Sequence, residues 1–216
     1  MKLYDYFRSS ASWRVRIALA LKGIEAERIP VSLVDGEQGG DAYRAVNPQG
    51  LVPALDTGET ILTGSLAIIE WLEECYPEPP LLPRDPAARA LARGMAQLIA
   101  CDIHPLNNLR VLKYLRGPLG QEEPAVRAWY AHWITEGFQA LETRLDSRTT
   151  SGPFLGGAQP GMADICLVPQ VYNARRFEVP LDAYPRLLDA ESACLAMPAF
   201  SGTAPQGRSH QQRTQQ

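Results

Sequence analysis

Long apolar runs are what this chain most plainly lacks. No window reaches the roughly 18 uncharged apolar residues that mark a membrane span. The opening MKLYDYFRSSAS turns polar too soon for a signal peptide. Basic charge is not in excess either: 21 Lys and Arg against 24 Asp and Glu leave a net charge of −3. Nucleic-acid binding needs a concentrated basic face, so neither nucleic acid nor membrane is an expected partner. Cysteine is sparse. Cys75, Cys101, Cys166 and Cys194 lie far apart with no CxxC pair, which removes the spacing of a metal site or redox motif. Each sits in an apolar helical pattern, so all four are expected to be reduced, buried and inert, as suits a cytoplasmic protein. There is no internal repeat.

What remains is an ordinary globular composition over 216 residues, enough for one large domain or two small ones. The first eighty residues mix strand and helix patterns. Residues 2–7 alternate, and residues 11–22 read as a helix closed by Gly23. Residues 27–33 read as a strand, 36–46 as a loop with a short helix, and LVPALDTGETILTGS as two short strands around Asp56, Thr57 and Gly58. Residues 66–76 resume helical spacing, with Ala67, Ile68, Trp71 and Leu72 inward and Glu70, Glu73 and Glu74 outward. That order implies a small mixed sheet with helices packed on it.

YPEPPLLPRDP, between Tyr76 and Pro86, reads as a linker. Beyond it strand patterns stop. Residues 87–116 and 122–145 carry apolar residues at three- and four-residue intervals, such as Leu91, Met95, Leu98 and Ile99, and 162–177 and 184–197 follow suit. Residues 201–216 are polar and expected to be disordered. The expected division is an α/β domain over residues 1–78, an all-helical domain over 86–200, and a tail. The helix from Trp13 to Leu21 is apolar nearly all round despite Arg14 and Arg16, so it is expected to be buried on both sides, its start facing a cleft.

Three features of the first domain point to anion and peptide chemistry. Arg8, Ser9 and Ser10 end a strand and open a helix, where unpaired N–H groups and the helix dipole favour negative charge. A serine there either donates to a bound thiolate or simply caps the helix. Val52–Pro53 stands where a strand should begin; either it is an ordinary edge proline, or a cis bond offers the Val52 backbone to a peptide-like ligand. Ser65, after Gly64, is a second helix start, read as a carboxylate seat or a plain cap.

SSxSWRVRIALALKGI, NPQGLVPAL, SLAIIEWLEE, DIHPLNN, and MADICLVPQVYNARRFEV with LDAYP together resemble the zeta class of glutathione transferases, from Met1 to about Phe200. The class includes maleylacetoacetate and maleylpyruvate isomerases. The resemblance implies the glutathione-transferase fold, an α/β thioredoxin-like N-terminal domain plus an all-α C-terminal domain, in a cytoplasmic homodimer. It also implies glutathione as cofactor and a small anionic substrate. By matching motif, Ser9 and Ser10 would meet the sulfur, and Val52, ahead of a cis Pro53, would pair with the cysteinyl backbone. Ser65 would hold the γ-glutamyl carboxylate, and Gln49 would lie along the tripeptide. His104 and Asn108 would line the cleft from the helical domain, and Arg8, Arg110 and Arg176 would grip the substrate. His104 has a structural alternative, and each arginine a solvated one, with Arg175 read as the solvated neighbour of Arg176. Asp164 would be a structural helix-start carboxylate.

Three positions depart from the class pattern. Ala11 replaces a cysteine, Gly64 replaces a Gln or Glu that reaches the γ-glutamyl amino group, and Gly161 replaces a capping Thr. The implied activity is glutathione-dependent cis–trans isomerisation of a maleyl keto acid, maleylacetoacetate or maleylpyruvate. The alternatives are a transferase or dehalogenase of small α-halo acids, and a non-catalytic dimeric binding protein that Gly64 keeps in play.

Overall fold

The computed structural model describes residues 1–146 and 152–205. The chain divides into two compact units. The first is Met1–Leu72 with the segment from Pro198 onward, and the second is Glu73–Met197.

The first unit is built on four strands, β1 (Lys2–Asp5), β2 (Glu27–Pro30), β3 (Ala54–Asp56) and β4 (Ile61–Thr63), in the order β2-β1-β3-β4. β1 and β2 are parallel because α1 (Ser10–Leu21) carries the chain across, whereas β3 and β4 are antiparallel neighbours joined by a tight turn. In that turn Asp56 Oδ1 accepts the Gly58 N–H at 2.8 Å and Thr57 N–H donates to the Thr60 carbonyl. α1 is buried from Ser10 to Leu19, arginines included, as its all-round apolar pattern requires. Arg16 meets this burial with an ion pair to Asp5 at 2.6 Å. The short helix α2 (Asp41–Arg44) and α3 (Ser65–Cys75) complete the unit's elements before the division, which falls in the last turn of α3.

The second unit holds α4 (Pro86–Gln97), a π-helical turn over Leu98–Ile103, α5 (Leu109–Arg116), α6 (Glu123–Asp146), α7 (Met162–Arg176) and α8 (Pro185–Leu195); α9 (Pro198–Ser201) belongs to the first. The helix expected over residues 87–116 is therefore broken. Pro105 has no N–H to continue the ladder, and His104 N–H turns back to the Ile99 carbonyl, five residues away. A new helix starts where the Asn108 side chain accepts the Arg110 N–H.

Other expectations fail for tertiary reasons. Glu73 points inward, 6% exposed, because its carboxylate accepts the Leu81 and Leu82 N–H groups at 2.8 and 3.2 Å. The proline-rich segment cannot satisfy those donors in a helix or strand, so a side chain does. Ala67 and Leu91 are exposed. So are Cys75 and Cys101, whereas Cys166 and Cys194 are buried. Residues 201–205 are not loose: Ser201 ends α9 and Thr203 is bonded to α1. The rest of the expected disordered tail, residues 206–216, lies outside the described residues. No described helix is long and apolar enough to cross a membrane.

Candidate active site

Strand register brings three segments to one end of the sheet. Tyr4 of β1 pairs with Ala54 of β3, and Ala54 pairs with Thr63 of β4. From that level β1 runs out towards Arg8, Ser9 and Ser10, β3 is entered through Val52 and Pro53, and β4 leaves through Gly64 into Ser65. Eight of the positions singled out in the sequence, those three segments with the adjoining Gln49 included, cluster here because antiparallel pairing leaves them no other end.

Ser9 caps α1, its Oγ accepting the Ser12 N–H at 3.2 Å. Capping uses a lone pair and not the hydroxyl proton, so one side chain can hold the helix and still donate to a ligand. Ser10 is the first helical residue and only 4% exposed. Ala11 follows it, also buried. Arg8 is exposed; its Nη2 donates to the Tyr6 hydroxyl at 2.9 Å and its guanidinium lies 5.1 Å from the Phe7 ring centre.

The Val52–Pro53 bond is cis, as is Glu78–Pro79 in the linker. Among the described residues no backbone hydrogen bond involves Val52, so its N–H and C=O remain for a ligand strand. The loop ahead of it is fixed at Leu51, whose carbonyl accepts the Tyr43 hydroxyl at 2.8 Å and Asn47 Nδ2 at 2.7 Å. Burial pushes the Tyr43 phenol up to about 12. Asn47 Oδ1 takes the N–H of exposed Gln49 at 3.1 Å. Gly50 has φ +63°, and a Cβ there would lie 2.8 Å from the Gln38 carbonyl oxygen, so glycine is required.

Gly64, at φ +82°, starts α3 by accepting the Ile68 N–H on its carbonyl. Ser65 is buried, and its Oγ accepts Arg14 Nη1 at 3.3 Å. Sequence reasoning passed over Arg14, though a signal was present: an arginine in a helix apolar all round is buried with a partner. Tyr43 and Asn47 were also missed, since NPQG announces a turn but not the donors that hold it.

In the second unit one residue, Tyr130, links the two groups of expected residues through its carbonyl and its ring. Tyr130 of α6 accepts Asn107 Nδ2 on its carbonyl at 3.1 Å, and Trp129 Nε1 donates to the Leu106 carbonyl at 2.9 Å. These bonds seat the stretch from His104 to Asn108 on α6. The Tyr130 ring stacks on Phe177 with centres 3.6 Å apart, and the Arg176 guanidinium lies 5.2 Å from the Phe177 centre. Burial raises the Tyr130 phenol, with Arg176 opposing. Arg110 and Arg176 are exposed; His104 and Asn108 are half-buried. Arg175 is exposed, as expected of the solvated neighbour of Arg176, and its guanidinium also forms a two-point ion pair with buried Glu191.

Asp164 is fully buried and accepts the Leu155 N–H at 2.8 Å and the Gly161 N–H at 2.9 Å, closing the start of α7. Gly161 has a fit of its own: a Cβ there would come 2.8 Å from the Leu81 carbonyl oxygen, which already accepts the Met162 N–H. A threonine cap would displace that contact.

Residues 3–80 match the glutathione S-transferase N-terminal domain and residues 127–189 the C-terminal domain. The maleylacetoacetate isomerase of Pseudomonas aeruginosa is 50% identical over 209 residues, covering 95% of this chain and 96% of its own. The holo structure of a maleylpyruvate isomerase, described as a bacterial zeta-class glutathione transferase, superposes with a TM-score of 0.94 at 49% identity, over 97% of this chain and all of that one. A maleylacetoacetate isomerase from Methylobacterium extorquens, solved with malonate and glutathione bound, gives a TM-score of 0.92 at 39% identity, over 95% of this chain and 96% of its own. With both domains matched and relatives of this identity aligned end to end, the chain belongs to the glutathione S-transferase family and groups with its zeta class.

Proposed function

We propose that the protein is a glutathione-dependent cis–trans isomerase that converts a maleyl keto acid, maleylacetoacetate or maleylpyruvate, to its fumaryl isomer in aromatic-compound catabolism. Relatives named for these two activities at 49% and 50% identity support the reading. The observation that carries it is the convergence of Ser9, the unused Val52 backbone and Ser65 on one end of the sheet.

Glutathione fits these residues. Val52 N–H and C=O would pair with its cysteinyl backbone, and Gln49 would lie along the tripeptide. Ser65, with the Arg14 guanidinium against its hydroxyl, would hold the γ-glutamyl carboxylate, and a buried cation there favours an anion. Pro53 shapes the entry to β3, and His104 and Asn108 complete the proposed cofactor set. When bound, glutathione supplies a thiolate that adds reversibly to the conjugated cis double bond and so permits rotation about it.

The chain's part is to make and hold charge. The N-terminus of α1 and one serine hydroxyl favour the thiolate over the thiol. Ser9 is the proposed donor, since its side chain is half-exposed at the cap; Ser10 stands one residue inside the helix. Arg8, Arg110 and Arg176 are proposed to bind the carboxylates and the oxygen on which charge develops, a task suited to a two-pronged guanidinium. Arg8 and Arg176 are each already oriented by an aromatic ring. A homodimer in the cytoplasm is proposed on family membership, and four free cysteines suit a reducing compartment.

Ser9→Ala and Ser10→Ala, compared for turnover and for glutathione binding by calorimetry, test the site. The Ser9 variant is expected to lose about a hundredfold in kcat while keeping most of its glutathione affinity. Wild-type kcat in both variants would remove serine from the mechanism.

A further inference from the structure

The C-terminal segment returns to the first unit and lands on the helix that carries the candidate sulfur site. Thr203 makes two links there. Its hydroxyl oxygen accepts Trp13 Nε1–H at 3.0 Å, and its carbonyl accepts Arg16 Nε–H at 3.1 Å. Trp13 lies one turn from Ser9, to whose carbonyl its own N–H donates at 2.8 Å. Thr203 is itself held, since its hydroxyl donates to the Ala199 carbonyl at 2.8 Å and Phe200 beside it is fully buried.

Arg16 passes the connection on. Its Nη1 donates to Asp5 Oδ1 at 2.6 Å, and its Nη2 to the Phe7 carbonyl at 3.0 Å. The side chain is 5% exposed, and each of its three nitrogens has a partner: the C-terminal segment, the end of β1, and the loop beyond it. Phe7 leads directly into Arg8, Ser9 and Ser10. Among the described residues the Phe7 carbonyl has no other hydrogen-bond donor, and the loop's own backbone tie is one bond from Ser9 N–H to the Tyr6 carbonyl at 2.9 Å.

We propose that Arg16 is a positioning residue for the thiolate-binding end of α1, and that the segment from Pro198 to Thr203 is a strap that keeps Arg16 and Trp13 in place. The inference rests on the glutathione site proposed above. Its physical basis is that hydrogen bonds to a thiolate weaken steeply with small displacements of their donors. The Phe7 carbonyl is the point at which a buried, three-way-anchored guanidinium fixes the backbone just before those donors. The strap therefore acts on acidity of the bound thiol and not on recognition of the peptide part of glutathione, which the Val52 and Ser65 segments would provide.

Three variants test this: Thr203→Val, which keeps the shape and removes the hydroxyl; Thr203→Ser, which restores it; and Arg16→Lys, which keeps the charge and loses the fork. The readouts are the pH dependence of bound-thiolate ultraviolet absorbance, the Kd of S-methylglutathione, which has no thiol to ionise, and Tm. Thr203→Val and Arg16→Lys are expected to raise the bound thiol pKa by about one unit, a roughly tenfold loss of thiolate at pH below both pKa values. Thr203→Ser is expected to return it to the wild-type value, and S-methylglutathione affinity to stay within about twofold throughout. An unchanged thiol pKa with a lowered Tm overturns the proposal and makes the ties structural only. If Arg16→Lys does not fold, the two Thr203 variants decide alone. Wild-type protein that fails to bind S-methylglutathione would instead overturn the glutathione site itself.

Discussion

Arg14 and Ser65 meet inside the first unit, with Nη1 of the one donating to Oγ of the other at 3.3 Å and both side chains buried. The bond ties α1 to the first residue of α3, and it places a guanidinium behind the hydroxyl proposed to hold the γ-glutamyl carboxylate. Ser65→Ala removes the hydroxyl and leaves that nitrogen without this acceptor. Glutathione affinity is expected to fall ten- to a hundredfold, roughly the 1.5–3 kcal/mol of a hydrogen bond to a charged group, with kcat at saturation little changed. Calorimetry and steady-state kinetics read the two effects apart; unaltered affinity would exclude Ser65 from the site.

Gly64 is a conformational requirement with room to spare. Its φ of +82° is left-handed, yet a Cβ would meet nothing within 4 Å. Gly64→Ala is therefore expected to cost about 1–2 kcal/mol through backbone conformation alone. Gly64→Gln should cost a similar amount and gain glutathione affinity, its amide reaching the amino group that glycine cannot. Urea denaturation and glutathione titration of the two variants check both halves. Equal affinities in Gln and Ala variants would mean that a side chain here does not touch the cofactor.

Burial lifts the Asp164 carboxyl from 3.8 to about 6, against the pull of the Leu155 and Gly161 N–H groups. The folded state thus binds this proton more tightly than the unfolded state. The group's contribution to stability is full below the unfolded pKa and is lost as pH rises through about 6. Asp164→Asn removes the titration, and its amide cannot accept from both N–H groups, so the variant is less stable outright. The stability gap between wild type and variant is expected to narrow by about 2–3 kcal/mol between roughly pH 4 and pH 7. A gap independent of pH would show that the carboxyl titrates where an exposed one does.

Gln170 of α7 is fully buried, and neither atom of its amide has a hydrogen-bond partner among the described residues. Buried amides left unpaired are costly, whereas an apolar group of the same length has nothing to satisfy. Gln170→Met is expected to raise stability by about 1 kcal/mol or more. Chemical denaturation measures it, and a loss of stability would reveal an interaction of the amide that outweighs its burial.

Local chemistry decides which parts of this structure are legible in the sequence. Gly23, at φ +67°, ends α1 where a glycine should, and the Asp56–Gly58 turn makes the hairpin that its residues announce. Ser9, Val52 and Ser65 were legible because helix starts and a proline at a strand entry carry their own signatures. Their convergence was not, because it is made by the pairing of Tyr4, Ala54 and Thr63 across the sheet. Glu73 departs from its expected outward face, and the ion pair of exposed Arg175 goes unforeseen, for one reason: helical spacing does not reveal a partner distant in sequence. Those partners, the Leu81 and Leu82 N–H groups and the Glu191 carboxylate, are eight or more residues away. Arg16 and Thr203, 187 residues apart, are the extreme case.

The most direct test of the proposed activity is the isomerisation rate of maleylacetoacetate and of maleylpyruvate by the purified protein, with and without glutathione, followed by ultraviolet absorbance. Rapid turnover of at least one compound that vanishes when glutathione is withheld is the expected result, and the ratio of the two rates would name the substrate. Absence of turnover at saturating glutathione, or turnover indifferent to it, would contradict the proposed isomerase.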